Sequence, residues 1–180
     1  MDNNNNEIQD SSFILLVYES INYILSKKIE KKEKNEQIEQ LGINLGEKVT
    51  HFLMNDPKND SEKFIGSDNI LNFIFNEVWY FIFKNKNNFL NKEQTGIYKF
   101  TCSNFKLYNY LIVDRSFKLD EKLNAILKFS CGILKGALNA FNIDSLVSYN
   151  IKDDNEELIK LNLIFEFIIN IVNYEFKNIK

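Results

Sequence analysis

Side chains that could perform chemistry are few and scattered in this sequence. His51 is the single histidine, and Cys102 and Cys131 are the two cysteines. A Ser–His–Asp or Cys–His arrangement would have to be assembled around His51. That residue stands in a helical-period segment beside Val49, Phe52 and Leu53, which reads as a partly exposed helix histidine. No G-x-S-x-G turn marks a nucleophile elbow. Metal binding needs several histidine, cysteine or carboxylate ligands to converge, and one histidine with two distant cysteines predicts no metal site. There is no Walker A sequence. Leu41-Gly42-Ile43-Asn44-Leu45-Gly46 does not follow G-x-G-x-x-G and sits inside helical periodicity rather than after a strand. Glu156 and Glu157 fall in an acidic run, Asp153 to Glu157, that reads as a solvated loop. The expectation is a protein without catalytic residues, cofactor or metal.

Composition narrows the partners. The net charge of −3 argues against a nucleic-acid footprint, which needs a basic excess. Arg115 is the only arginine, so bidentate recognition of phosphate or carboxylate is poorly served. Two separated cysteines form neither a disulfide framework nor a ligand set, which fits a reducing compartment. Met1 to Ser12 is polar and acidic and does not resemble a signal peptide. The apolar run Phe13–Val17 is too short to span a bilayer, and Leu158–Val172 is interrupted by Lys160, Asn162, Glu166 and Asn170.

Small residues carry more information than reactive ones. Gly132, Gly136 and Ala140 recur at intervals of four inside a strongly helical segment, and Gly42 and Gly46 repeat the spacing in another. An interior glycine costs about 1 kcal/mol relative to alanine, so a pair implies close approach by another element. Packing against a sheet of the same chain is the simplest reading of the Gly132–Gly136–Ala140 stripe. A lined apolar channel and a subunit interface are the alternatives.

The elements that position these residues follow from periodicity. Residues 1–10 are asparagine-rich and predict disorder, leaving 11–180 as a single domain. Phe13–Lys28 predicts a helix with Ile14, Val17, Ile21 and Ile24 on one stripe, widened by Leu15, Leu16, Tyr18 and Leu25. So wide an apolar circumference predicts burial on more than one side. The mixed-charge stretch Lys27–Glu39 reads as a solvated helix end and loop. Helices are expected at Ile38–Asn55 and at Asp68–Asn85, the latter capped by Ser67 or Asp68, and Lys84–Gln94 reads as polar and ending in a loop. The period then changes to two: Gly96–Cys102 and Phe105–Val113, separated by Ser103-Asn104, predict a hairpin. Ser116–Phe141 predicts the fourth helix. Leu146–Ile151 predicts a short strand and Ile159–Val172 a long one, with a helix competing for its second half. Three helices, a hairpin, a helix and two strands make an α+β chain with a helical layer on an antiparallel sheet.

The run Phe129-Ser130-Cys131-Gly132-Ile133-Leu134-Lys135-Gly136-Ala137-Leu138 resembles the aromatic, x, Cys-Gly, two apolar, Arg/Lys, Gly-Ala/Gly-Leu motif of the small subunits of TRAPP, the transport protein particle. Glu39 to Gly46 resembles that family's glycine repeat in its second helix. Trp79 followed by Phe83-Lys84, and Gly96-Ile97-Tyr98, also fit, in the right order from Phe13 to Leu163. The tryptophan and the Gly-Ile-Tyr sequence are most similar to the sixth-subunit branch.

The resemblance implies an α/β-plait of order ααα-ββ-α-ββ with a four-stranded antiparallel sheet. It implies a non-catalytic subunit of a vesicle-tethering, Rab nucleotide-exchange complex in ER-to-Golgi and Golgi transport. Such a subunit would be cytoplasmic and peripheral at cis-Golgi and ER–Golgi membranes. Its partners would be other TRAPP subunits, chiefly the third-subunit paralogue, with a homodimer when isolated and contact with the Rab GTPase only indirect. Phe13, Ile14, Val17, Ile21 and Ile24 are the expected dimer contacts. Departures from the pattern are His51 where Glu is common, Lys135 for Arg, a longer stretch after Leu163, and no cysteine from Asn55 to Phe73, so no lipid anchor is expected there. The alternative function is a soluble binding module for an acyl chain or another apolar ligand, lined by the glycine stripe and by phenylalanine.

Overall fold

The computed structural model describes residues 3–57, 64–85, 88–102, 119–152 and 164–174. Five α-helical segments and four strands follow in the order α1 (Asn3–Ser26), α2 (Lys31–Met54), α3 (Ser67–Phe73), α4 (Trp79–Phe83), β1 (Asn88–Gln94), β2 (Ile97–Cys102), α5 (Leu119–Ala140), β3 (Ile143–Lys152) and β4 (Ile164–Tyr174). The architecture is α+β, a helical layer on a four-stranded antiparallel sheet of order β1-β2-β4-β3.

The α1 helix forms because its apolar residues recur every three to four positions. Ile14, Val17, Tyr18, Ile21 and Ile24 are buried. Its trace begins at Asn3, within residues 1–10, for which the asparagine-rich composition predicts disorder. No proline or glycine interrupts residues 1–26, so a helix nucleated on the buried stripe extends at little further cost.

The mixed-charge stretch is not a loop, because α2 starts at Lys31. Pairs spaced by four support it: Lys32 lies 4.0 Å from Glu36, and the Gln37 amide donates to Glu33 at 3.2 Å. The Lys34 ammonium donates to the Leu25 carbonyl at 2.5 Å, satisfying one of the last carbonyls of α1 and closing the turn between the helices.

The third predicted helix is one continuous run in which a π-helical turn, Ile74–Val78, joins α3 to α4. Gly66 (φ 90°) occupies its N-cap position, not Ser67 or Asp68. Both of those side chains are engaged elsewhere, with Tyr98.

The hairpin differs from its expected form. β2 pairs with β1, the polar stretch that local composition reads as ending in a loop, through a turn at Thr95-Gly96 in which Gly96 adopts φ 78°. On its other edge β2 pairs with β4 along the whole of Ile97–Cys102. Both edges are therefore taken, and Phe105–Val113 is not its partner. That segment lies outside the described residues, as do the acidic run Asp153–Glu157 and Ile159–Leu163. The last element is a strand throughout Ile164–Tyr174, not a helix in its second half.

Helices and sheet share one core. Tyr98, Phe100 and Cys102 of β2 and Phe167 and Ile169 of β4 are buried beneath the helices. Phe75 stacks on Phe100 with centroids 4.0 Å apart, and Trp79 meets Phe100 and Phe167 edge-on at 4.9 and 5.4 Å. Each such ring contributes about 2–3 kcal/mol through removal from water.

Candidate interaction surface

Glycines determine how α2 and α5 meet. A Cβ built on Gly42 would lie 2.2 Å from the Phe129 carbonyl oxygen, and one on Gly46 2.2 Å from that of Ile133. Reciprocally, a Cβ on Gly132 would lie 2.2 Å from the Glu39 oxygen, and one on Gly136 2.1 Å from that of Ile43. The two backbones approach so closely that any side chain at these four positions would collide with the opposite main chain. The partner of the Gly132–Gly136 stripe is thus α2. The sheet, expected to receive it, lies elsewhere. Ala140, the third member of that stripe, is half-buried at the end of the helix.

Polar groups reinforce this pair. The Lys135 ammonium donates to a Glu39 carboxylate oxygen across it. It engages one oxygen of Glu39, as a point charge does; the fork of an arginine engages two. Thr50 and Ser130, both buried, return their hydroxyls to the carbonyls four residues earlier, at 2.7 and 2.9 Å.

The expected dimer contacts are mostly inside the chain. Ile14, Val17, Ile21 and Ile24 are 1–9% exposed and Phe13 is half-buried against the core. The 3.6-residue stripe is an amphipathic helix's own core face, which sequence cannot distinguish from a partner-facing one. The opposite side of α1 carries the exposed apolar residues: Leu15 (48%), Leu16 (65%) and Tyr23 (67%). Beside Tyr23 an open groove of about 630 Å³ runs between α1 and α2, floored by Ile24 and Leu41 and rimmed by Gln37, Gln40 and Asn44. Phe52 and Phe81 form a second exposed apolar pair, with centroids 5.9 Å apart.

Groups of catalytic type are placed unfavourably for catalysis. His51 is exposed, with Nε2 3.9 Å from a Glu47 oxygen. Cys102 and Cys131 are buried, and burial pushes each thiol up to about 12, the opposite of nucleophile activation. Asn85 donates to the Cys102 sulfur at 3.2 Å. A polar cluster that sequence reading missed joins the start of α3 to the hairpin. The Tyr98 hydroxyl donates to Asp68 at 2.5 Å, Lys92 reaches both Asp68 oxygens at 3.1 Å, and the Ser67 hydroxyl lies 3.0 Å from that of Tyr98. The hydrogen bond from Tyr98, then that from Lys92, hold the Asp68 carboxyl below its usual range. No sequence motif signals this cluster, because its members come from three elements. Among the described residues no group of three or more histidine, cysteine, aspartate or glutamate side chains could hold a metal, and no helix is long and apolar enough to cross a membrane.

A glycine-locked helix pair and an outward apolar helix face accompany a four-stranded antiparallel sheet of this order, which defines a small α+β domain. The chain belongs to the TRAPP family: residues 13–166 match the family described as transport protein particle (TRAPP) component. It is 26% identical over 139 residues to trafficking protein particle complex subunit 6b of Danio rerio, covering 77% of this chain and 87% of that one. It is 27% identical over 105 residues to subunit 6B of Homo sapiens, covering 58% and 65%. Its fold matches that of the third subunit from Naegleria fowleri, a structure covalently bound to palmitic acid. The TM-score is 0.72 at 14% identity, over 93% of this chain and 98% of that one. The relatives by sequence are sixth subunits, the branch that Trp79 and Gly96-Ile97-Tyr98 indicate, and the chain is a component of vesicle-trafficking machinery.

Proposed function

We propose that this protein is a non-catalytic structural subunit of a TRAPP tethering and Rab-exchange complex in ER-to-Golgi and Golgi transport. It acts by heterodimerising with the third-subunit paralogue. Residues 11–180 serve as one unit, cytoplasmic and peripheral at ER–Golgi membranes through the complex, and the Rab GTPase is met only indirectly. The observation that carries this reading is the outward apolar face of α1, where Leu15, Leu16 and Tyr23 are exposed and Tyr23 also lines the groove against α2. Exposed apolar patches rimmed by polar residues mark sites of association. The contact residues first expected, Ile14, Val17, Ile21 and Ile24, hold α1 onto the body and support that face from beneath. Light scattering of the chain mixed with the third subunit from the same organism tests the assignment. A one-to-one complex lost on Leu16→Asp supports it; two species that do not mix refute it.

A second reading, binding of an acyl chain, is favoured by the palmitic acid on the third-subunit relative. In this chain both cysteines are buried with raised thiol pKa values, so a fatty acid would be held without a covalent bond to either. Extraction of the purified protein with organic solvent, followed by mass spectrometry, tests for it. Stoichiometric fatty acid supports this reading, and its absence removes it.

A further inference from the structure

The two edges of the sheet are finished differently. β1 carries the exposed residues Lys92 and Glu93, and the register of its pairing with β2 shifts between Lys92 and Gln94, leaving Glu93 as a bulge. Charges and bulges of this kind discourage a further strand from pairing. β3, at the opposite edge, has no bulge of its own and carries charge only near its two ends. Its charged residues are confined to Asp144 and Lys152, and Ser145 to Ile151 contains no charge and no proline. The irregularity of the β3–β4 pair lies on β4, where Val172 is the residue without an opposite number. Among the described residues β3 therefore runs regularly for ten residues, pairs on one side only, and exposes Leu146 and Ile151.

We infer that β3 is a self-pairing edge, on which a second copy of this chain docks antiparallel to join two sheets into one. Self-complementarity selects that occupant. A two-fold axis through Ser148 sets Ser148 opposite Ser148, Val147 opposite Tyr149, Leu146 opposite Asn150 and Ser145 opposite Ile151. It sets Asp144 of each copy opposite Lys152 of the other, residues of opposite charge at both ends. Opposed residues must share a face of the sheet, so the axis moves in whole residues, and moving it by one toward the start of β3 sets Asp144 opposite Asn150 and loses both charge pairs. Main-chain hydrogen bonds supply the affinity in such strand addition, and an isologous contact closes as a dimer. The surface is separate from the α1 face and does not depend on the reading of that face.

Sedimentation of the full chain over a range of concentrations tests the inference. A reversible dimer is expected, abolished by Leu146→Lys and weakened about three- to tenfold by Asp144→Lys through its two symmetric charge pairs. The double variant Asp144→Lys with Lys152→Asp should restore it. Leu146 is 63% exposed, so the lysine variant keeps its fold, which circular dichroism verifies. Amide exchange from Val147 to Asn150 should slow as concentration rises. A chain that stays monomeric overturns the inference, as does a dimer that survives Leu146→Lys but is lost with Leu16→Asp.

Discussion

Gly136 and Ile43 lie so close that a Cβ on the glycine would fall 2.1 Å from the isoleucine's carbonyl oxygen. No rotamer relieves that overlap, because both atoms are fixed to helical backbones. Gly136→Ala is therefore expected to destabilise the chain by about 2–3 kcal/mol, net of the roughly 1 kcal/mol that alanine returns in helix propensity. Gly46→Ala, against Ile133, should behave alike. The urea midpoint measures both, and a variant as stable as the parent would show that the helices are not in backbone contact.

Glu39 and Lys135 join the same two helices at a site that is about a quarter exposed on each side. Their coupling energy in a double-mutant cycle of Glu39→Gln and Lys135→Met should be about 0.5–1 kcal/mol. It should shrink in high salt.

The two faces of α1 should separate under mutation. Ile21 is 1% exposed, so Ile21→Asp buries an unpaired carboxylate and should cost about 4 kcal/mol or more, enough to unfold most of the population. Leu16→Asp should change stability by no more than about 0.5 kcal/mol while abolishing the proposed heterodimer. Thermal melts alongside light scattering check the pair. If Ile21→Asp remains folded, α1 is not part of the core.

Neither thiol should react with iodoacetamide at pH 8 while the chain is folded, and both should react in urea. A thiol that ionises near 9 when unfolded and near 12 when folded keeps its proton in the native state. Its contribution is fully present below pH 9 and is lost as pH rises from there toward 12, at about 1.4 kcal/mol per pH unit per thiol. Denaturant midpoints across that window give the slope.

Asp68 shows the opposite sign. Its carboxyl is held below the ordinary value by Tyr98 and Lys92, so its stabilisation is present above pH 3.8 and is lost as pH falls through the lowered value. Asp68→Asn should remove that acid-side component and lower the protection of the Tyr98 amide. Hydrogen exchange at Tyr98 that is unchanged in the variant would mean that the cluster does not hold α3 to the hairpin.

Much of the helical layer is legible in the sequence, because a 3.6-residue apolar period and a glycine every four residues are local signals. Phe129 to Leu138 and Glu39 to Gly46 are recognisable for that reason. Three features are decided only by the tertiary structure. β1 is polar over Asn91–Gln94 and lacks a sustained apolar alternation, and only pairing with β2 makes it a strand. The apolar stripe of α1 is equally compatible with its own core or with a partner, and which neighbour covers it is a matter of long-range packing. The same holds for the two glycine pairs. Their spacing states that something approaches closely, but only the folded chain, by bringing residues 39–46 against residues 129–136, establishes that each pair is the other's partner.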